Sequence, residues 1–481
     1  MRLPRFARLG LVPIVLWLAL GAVLATITGR VADWFVMTDE LLYERLALSV
    51  IRLHSPVPHI HLELVPSLSQ LYPLILSAPL AGGDVAQGLH QAHVLNAFVM
   101  SSAAVPAYLL ARRVAGPVWA AALVALLSVT VPWIVLASFL LTEVAAYPAF
   151  LWAIVGFQAA VSKPSVRNDL LAVGALLVAV GARTQFGVLA LVLAVAIVVD
   201  AGGARAAVRA HRALAGAYAA GIVLALLLAV SGHSVLGTYA AAAHGNPLPL
   251  RIVPSFAEHL AVLALGIGLL PFLVGGAWLA ANVVHSEVRE RRIFALLASL
   301  ATVVVTIEVA SYNLRFGGGI VRERYLFYVA PLVLVAFAAA LTDVRWPRRS
   351  LAVPVVVLAY GFAEAHLPLL DKMNVDTPVS VFDNYLHETL GSLDEQRAVL
   401  VVAAVLGALI VIEGSILLRR AHLAVLLAGF ALVVLPAETA YAFERLFRYN
   451  DTAGRPLTSP GSNIYEWVDR AVGRSAHVTA V

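Results

Sequence analysis

Apolar residues come in blocks of about 18 to 25 along this chain, and a helix of that length crosses the ~30 Å hydrocarbon core of a bilayer. Backbone polar groups in lipid must be satisfied within the segment, so these blocks are predicted to be helices. The pattern predicts an all-α polytopic membrane protein with about 13 transmembrane helices. The predicted spans are 9–28, 87–111, 114–132, 142–161, 168–183, 185–200, 213–231, 258–283, 293–312, 325–342, 350–367, 398–418 and 422–440.

The long connection after the first block, residues 29–86, holds two shorter patterns. Residues 39–53 have helical spacing, with Leu42, Leu46 and Val50 on one face. The apolar stretch 71–80 is too short to cross a membrane. We predict that both are helices lying in the plane of the membrane interface.

Composition supports this class of protein and excludes several others. Hydrophobic residues make up 61% of the 481 residues and charged residues only 13%. The absence of cysteine excludes disulfides, thiol catalysis and cysteine metal sites. No basic stripe with interleaved aromatics suggests nucleic-acid binding. The bias to Ala, Val, Leu and Arg suggests a bacterial, actinobacterial source. The first apolar block has no clear signal-peptide cleavage site, so it is predicted to be a retained helix.

Charge is divided unequally between alternate connections. More than half of the 33 Lys and Arg residues, but only about six of the 28 acids, fall in every second connection. Basic residues stay preferentially on the cytoplasmic side. The N-terminus is therefore predicted to be cytoplasmic and the C-terminus extracytoplasmic, in a bacterial plasma membrane. The longer, more varied outer segments are where we expect any chemistry.

Two acidic positions stand out on the predicted outer face. Asp39 and Glu40 follow the first span, where partial desolvation would move a carboxylate toward general-base range. Glu143 opens the fourth span, and a charge near membrane depth is usually functional or paired. The alternative for both positions is structural, because Thr38, Asp39 or Thr142 could cap a helix whose first turn favours acids.

Basic residues lie on the same predicted face. Arg183 lies between two spans, at a depth that suits a phosphate oxygen or a salt bridge to one of the acids. Arg322, Arg324 and Tyr325 follow a GGG run and could hold a lipid phosphate or anchor the chain among headgroups. Together these residues suit a reaction in which an acid deprotonates a hydroxyl while arginines stabilise a departing phosphate.

Five sequence features resemble the GT-C superfamily of integral-membrane glycosyltransferases, in the branch of protein O-mannosyltransferases and lipid A aminoarabinose transferase. An acid pair, TDE, follows the first span, and the first loop ends in LYPLILSAP. The second span contains HVLNAFVMSSAAVPAYLLARR, the fourth opens with FLLTEVAAYPAF, and a late span opens with ERYLFYVAPLVL. Their order and sidedness carry the resemblance over roughly residues 9–342.

The resemblance implies an inverting transfer of a monosaccharide from a polyprenyl-phosphate sugar to a glycan, lipid or protein acceptor. Asp39 would be the catalytic base, Glu40 its neighbour in the diacidic motif and Glu143 the second acidic site. Arg183 and Arg324 would bind the donor phosphate. Some branches use a divalent cation, so Mg²⁺ or Mn²⁺ held by Asp39 and Glu143 stays an open alternative.

The domain prediction follows from the same reasoning. Residues 1–440 are predicted to form the transmembrane catalytic domain, with loop 29–86 as its first outer segment. Residues 441–481 form an extracytoplasmic tail, which is either the start of a truncated soluble domain or a small natural cap. We also expect the chain to be a monomer surrounded by membrane lipids.

Two other functions compete with glycosyl transfer. A lipid or solute transporter needs charges near mid-membrane, and Glu308, Glu364 and Glu413 in late predicted spans keep that possibility open. A non-enzymatic assembly partner or inactive homologue predicts that Asp39→Asn is silent.

Overall fold

The computed structural model describes residues 5–31, 38–57, 59–60, 63–65, 69–82, 85–231, 245–317, 321–343, 346–365, 378, 389–390 and 392–449. The described α-helices are α1 (Arg5–Thr28), α2 (Thr38–Leu53), α3 (Leu71–Leu80), α4 (Val85–Ser101), α5 (Ala104–Val114), α6 (Val118–Ser128), α7 (Glu143–Ser162), α8 (Val166–Ala182), α9 (Leu189–Asp200), α10 (Ala204–Ala210), α11 (Arg212–Val230), α12 (Ile252–Gly266), α13 (Leu269–His285), α14 (Arg289–Phe316), α15 (Ala330–Thr342), α16 (Ala352–Glu364), α17 (Leu393–Leu417) and α18 (Arg420–Tyr449). Short 3₁₀ helices cover Pro132–Ser138, Thr184–Val188, Glu323–Tyr325, Phe327–Val329 and Arg349–Leu351.

The chain is a polytopic membrane protein. Seven described helices are long and apolar enough to cross a bilayer, and nine spans result if each of two bent helix pairs counts as one. Four shorter apolar helices, of 10–17 residues, accompany them. Length and composition therefore give fewer crossings than the 13 predicted from sequence, and the count of 13 stays a prediction.

The predicted span 258–283 is wrong as a single helix. The structure breaks it at Gly268, between α12 and α13. Gly268 has a φ of +78°, a backbone conformation that glycine adopts without the steric penalty of a Cβ. The sequence pattern missed the break because Gly268 stands inside an unbroken apolar run, which keeps its periodicity on both sides.

Both helices predicted in the first outer loop are present, as α2 and α3. The ring centroids of Tyr43 on α2 and Tyr72 on α3 lie 6.0 Å apart, edge to face. The Tyr72 hydroxyl donates to Asn96 Oδ1 at 3.1 Å, and Asn96 donates to the Phe139 carbonyl at 2.9 Å. A chain of buried contacts thus ties the first loop to α4 and to the segment before α7. An antiparallel pair, β1 (His59–Ile60) with β2 (Glu63–Leu64), follows α2.

Helices α7 and α15 form the centre of the bundle. Most side chains of α7 are buried, and every side chain of α15 from Ala330 to Leu341 is buried. The functional candidates lie at the ends of these two helices, because Glu143 is the first residue of α7 and Arg324 precedes α15. The charged groups at this end are therefore attached to two helices whose side chains are mostly buried.

The basic residues of the other end form their own ion pairs. Arg289 and Arg292, in the first turn of α14, both contact Asp200 at 2.7 and 3.1 Å, and Arg291 pairs with Asp343. Helix α14 has 28 residues and is about 42 Å long. Near its far end, the Tyr312 ring lies 5.8 Å from the Tyr325 ring. The basic network and the candidate site are thus at opposite ends of one spanning helix.

Gly361 of α16 lies against the backbone of α12 and supplies a test of the packing. A Cβ at this position would lie 2.3 Å from the Ala257 carbonyl oxygen of α12. We expect Gly361→Ala to destabilise the protein by about 1–3 kcal/mol, since two backbones would have to move apart. The control is Gly174→Ala in α8, where no atom lies within 4 Å of the added Cβ. Equal thermal unfolding temperatures for the two variants would contradict this packing.

Two sequence predictions concern the C-terminal part of the chain. The helix predicted over 422–440 is longer in the structure and continues to Tyr449. Residues 441–449, which were predicted to belong to the tail, are therefore part of α18, and Glu444 pairs with Arg448 one turn later at 2.7 Å. The rest of the predicted tail, 450–481, lies outside the described residues.

Candidate active site

Four charged side chains from distant parts of the chain meet at one end of the bundle. Glu143 Oε1 lies 2.8 Å from Arg183 Nη1 and 3.7 Å from Arg324 Nε. Arg324 Nη2 also lies 2.9 Å from Asp39 Oδ2. Two carboxylates and two guanidinium groups therefore alternate in the order Asp39, Arg324, Glu143, Arg183. This group is the acid–arginine cluster.

Glu143 occupies the N-terminus of α7. The helix dipole favours a carboxylate there, as the sequence suggested. The predicted cap by Thr142 is absent, because its side chain makes no capping hydrogen bond to the backbone. Thr142 Oγ1 instead lies 3.3 Å from Glu143 Oε2 and accepts from Arg183 Nη1 at 3.0 Å. Glu143 is only 1% exposed, so its charge is compensated by the two arginines and not by water.

Arg183 ends α8 and turns back toward Glu143. Its backbone is extended, with φ −156° and ψ 120°, so the helix stops and the side chain leaves the helix axis. Arg183 Nε donates to Gln185 Oε1 at 3.0 Å, and Gln185 Nε2 donates to the Tyr325 carbonyl at 3.0 Å. The salt bridge that the sequence offered as an alternative for Arg183 is thus present, while its guanidinium is also held near Tyr325.

Tyr325 lies between the two arginines. The Arg183 and Arg324 guanidinium carbons are 4.8 and 4.9 Å from its ring centroid. Its hydroxyl accepts from Arg324 Nη2 at 2.9 Å. Cation–π contacts of this kind fix a guanidinium without neutralising it. Arg322 is half-buried and immediately precedes the 3₁₀ helix Glu323–Tyr325.

The four charged side chains differ sharply in their access to solvent. The side chain of Asp39 is 40% exposed, whereas Arg324 is 6%, Arg183 10% and Glu143 2% exposed. Asp39 thus forms the open edge of the acid–arginine cluster, and Glu143 its closed back. A molecule that reaches the cluster from outside meets Asp39 first.

Glu40 has a different environment from its neighbour. Its side chain is buried, and Oε1 accepts a hydrogen bond from the Leu140 backbone N–H at 3.1 Å. Leu140 belongs to the segment between the 3₁₀ helix Pro132–Ser138 and α7. Because this segment is not helical, the Leu140 backbone N–H has no partner within a helix. The acid pair therefore divides into one exposed carboxylate beside an arginine and one buried carboxylate that holds a backbone segment.

This division predicts different results for amide substitutions in the pair. We expect Glu40→Gln to keep most of the activity and stability, because the glutamine carbonyl can still accept from Leu140. Glu40→Ala leaves the buried N–H unsatisfied and is expected to cost about 1–3 kcal/mol. Thermal unfolding of both variants measures the difference, and an equally large loss in both would assign Glu40 a role that needs its charge.

The site does not fit a divalent ion in this arrangement. Asp39 and Glu143, the carboxylates predicted for a metal, both contact Arg324, so a guanidinium occupies the place between them. Within the described ranges, no group of three His, Asp or Glu side chains has the geometry of a metal site.

Sequence reasoning did not identify Gln185, and it gave Thr142 only the role of a helix cap. Gln185 connects Arg183 to Tyr325, and Thr142 connects Arg183 to Glu143. Their only signal in the sequence was a charged residue close by.

Two further glutamates lie next to the cluster. Glu308, which the sequence set among possible transport residues, lies beside Gln185 and Arg183. Glu323, next to Arg324, is buried and accepts from Trp133 Nε1 at 3.2 Å.

Comparison with solved structures shows the fold. The chain is similar to ArnT from Cupriavidus metallidurans bound to undecaprenyl phosphate, with a TM-score of 0.52 and 18% identity over 92% of this chain and 80% of that one. The apo structure of the same protein gives a TM-score of 0.46 and 15% identity over 92% and 79%. No protein-family model and no curated protein matches the sequence. The chain therefore has an ArnT-like fold.

Proposed function

We propose that this ArnT-like membrane protein is a glycosyltransferase that moves a monosaccharide from a polyprenyl-phosphate sugar to an acceptor hydroxyl. ArnT is the lipid A aminoarabinose transferase of the GT-C superfamily, and one of its structures holds undecaprenyl phosphate. The observation that carries the proposal for this chain is the acid–arginine cluster. One exposed carboxylate shares a guanidinium with a buried carboxylate, which supplies a base and a phosphate-binding cation side by side.

The proposed reaction is a single displacement at the anomeric carbon. Asp39 takes the proton from the acceptor hydroxyl, and the hydroxyl oxygen forms a bond to that carbon. The bond from the carbon to the phosphate oxygen breaks, and its electron pair stays on the phosphate. One displacement inverts the configuration of the sugar. The phosphate changes from a singly charged diester to a more highly charged monoester, so its departure needs nearby cations.

Arg324 would interact both with the base, Asp39, and with the departing phosphate. Before the reaction, its guanidinium pairs with the Asp39 carboxylate at 2.9 Å. Protonation of Asp39 removes that negative charge as the phosphate gains one. The total charge of protein and substrate stays constant, while the attraction on Arg324 moves from Asp39 to the phosphate. Arg183, held by Glu143 and Gln185, would supply the second cation, with Arg322 and Tyr325 as further candidates at the phosphate.

Glu143 is better suited to positioning than to proton transfer. Its side chain is 2% exposed and contacts both Arg183 and Arg324. We therefore assign Glu143 the role of holding the two guanidinium groups at a fixed separation, and Glu40 the role of supporting the segment before α7.

The proposed location of the reaction is the extracytoplasmic face. The basic connections contain the network around Arg289 and Asp200, which lies at the opposite end of α14 from the acid–arginine cluster. Basic connections stay preferentially in the cytoplasm, so the cluster would face outside. The donor chain would then lie in the outer leaflet with its phosphate at the cluster.

We further propose that the transfer needs no divalent cation. The charge that a metal would supply at a departing phosphate is available from Arg183 and Arg324. We expect that incubation with EDTA leaves the transfer rate within about twofold of the untreated enzyme, and that added Mg²⁺ or Mn²⁺ does not increase it. A loss of activity that Mn²⁺ restores would contradict this assignment and would place a metal between Asp39 and Glu143.

The decisive experiment uses the purified protein in phosphatidylcholine vesicles with radiolabelled polyprenyl-phosphate sugars, mannose and arabinofuranose donors among them. We expect release of sugar from the lipid, to water or to an added acceptor. Movement of labelled lipid between leaflets without sugar release would instead support a flippase. Glu308, one of the residues that kept the transport alternative open, lies beside Gln185 and Arg183, next to the acid–arginine cluster.

A further inference from the structure

Helix α2 also lines a cavity outside the acid–arginine cluster. A cavity of about 340 Å³ lies between α2 and β1, and its described lining consists of Arg45, Leu48, Ser49, Arg52, Leu53, His59 and Ile60. Its volume falls in the range of small-ligand sites. At 1.5 Å per residue, Arg45 is about 9 Å and Arg52 about 20 Å from Asp39 along the helix. The cavity is therefore separate from the residues proposed for sugar transfer.

The polar part of the lining is formed by hydrogen-bond donors. Arg45, Ser49 and Arg52 are four and three residues apart, which places them on one face of α2. The Ser49 hydroxyl oxygen is buried and has no hydrogen-bond partner among the described residues. His59 Nδ1 is 2.9 Å from the Val57 carbonyl, so that nitrogen is already in a hydrogen bond. Two guanidinium groups and an unsatisfied hydroxyl in one cavity match the oxygens of an anion.

Among the described residues, Glu44 is the carboxylate that contacts Arg45, and this contact is weak. Glu44 Oε2 lies 3.9 Å from Arg45 Nε, a long contact in which the Arg45 side chain is 56% exposed. Burial raises the pKa of Glu44 above its ordinary value, against the opposite effect of Arg45 and Arg52. The arginines thus keep most of their capacity to bind an anion from outside.

The apolar part of the lining indicates the rest of the ligand. Leu48, Leu53 and Ile60 line the same cavity as the arginines. Leu41, Leu42 and Val57 on or near α2 are also exposed, by 39–46%. Exposed leucines and arginines on the same helix are typical of a helix that lies at a membrane surface, with charged heads among lipid phosphates.

We propose that this cavity binds the anionic headgroup of a membrane amphiphile, with Arg45, Arg52 and Ser49 on the phosphate or carboxylate and the leucines against its chain. The site does not depend on the proposed sugar transfer. It would hold α2, which begins at the catalytic candidate Asp39, against the membrane surface by a bound lipid.

The test measures lipid binding and not sugar transfer. The full-length protein in neutral detergent is titrated with short-chain phosphatidylglycerol, and native mass spectrometry gives the apparent Kd. We expect Arg45→Gln/Arg52→Gln to weaken binding by about tenfold or more. We expect Arg30→Gln, a matched change of an exposed arginine after α1, to leave it unchanged. Phosphatidylcholine of the same chain length is expected not to bind measurably.

Ser49→Ala keeps the proposal testable if the double variant does not fold. Losing one hydrogen bond to a charged group should weaken phosphatidylglycerol binding by about tenfold. Unchanged affinity in both folded variants, or an equal loss in Arg30→Gln, would overturn the site. Inorganic phosphate at the same concentration is expected not to displace the lipid. Displacement would assign the cavity to the free anion and overturn the headgroup assignment.

Discussion

Asp39→Asn is expected to lower the rate of sugar transfer by about a thousandfold, which is the contribution that a positioned general base commonly makes. Asparagine has nearly the shape of aspartate and can still accept from Arg324, so the ion-pair geometry is largely kept. It cannot take a proton from the acceptor hydroxyl. The expected result is therefore a fall in kcat at nearly unchanged KM for the lipid donor, measured by single-turnover release of radiolabelled sugar.

Glu63→Gln is the matched control for that experiment. Glu63 is an exposed acid of the same outer loop, on β2, and we assign it no part in the reaction. It should transfer sugar at the rate of the unmodified protein. If Asp39→Asn also retains that rate while folding normally, Asp39 is not the base. An inactive homologue would instead show no transfer in any of these proteins.

Glu143→Gln is expected to have the largest effect on stability. Breaking a buried ion pair by removing one partner costs about 3–5 kcal/mol, because the remaining charge is left without compensation. Here two arginines lose their shared carboxylate, and the side chain of Arg183 is only 10% exposed. The measurement is the free energy of unfolding in detergent. Sugar transfer should fall as well, since each guanidinium loses one of the contacts that hold it.

A double variant separates this charge effect from a simple loss of packing. Arg183→Gln in the Glu143→Gln background removes a cation together with its carboxylate, so the two destabilisations should not add. We expect the free energy of unfolding lost in the double variant to be smaller than the sum of the two single losses by at least about 1 kcal/mol. Strict additivity would mean that the 2.8 Å contact between Glu143 and Arg183 contributes little.

The charged members of the site could be predicted from the sequence because each is costly in its surroundings. Glu143, Arg183 and Arg324 stand within or beside apolar spans, where a charge needs a partner or a function. The alternation of basic connections then assigned them to one face. The structure brings them together with Asp39, which contacts Arg324 across 285 positions of sequence. No local pattern contains that pairing, so the contact between Asp39 and Arg324 could not be predicted.

Other features lay beyond sequence reasoning for a different reason. The break at Gly268 and the 56° bend between Val118–Ser128 and Pro132–Ser138 occur in apolar stretches that look continuous. Periodicity reports which face is buried and does not report where the helix axis changes direction. Gln185 is neutral, so no energetic argument set it apart, and capping was the only role that the sequence suggested for Thr142.

The contact between Asp39 and Arg324 also constrains the order of biosynthesis. A ribosome finishes α2 long before it reaches Arg324, which follows 285 residues later. During that interval, the exposed acid exists without the guanidinium that pairs with it. A nascent chain released before α15 would contain the candidate base and no complete active site. Membrane insertion would thus produce catalytic competence as one of its last steps, and chains that stall early would remain inactive in the envelope.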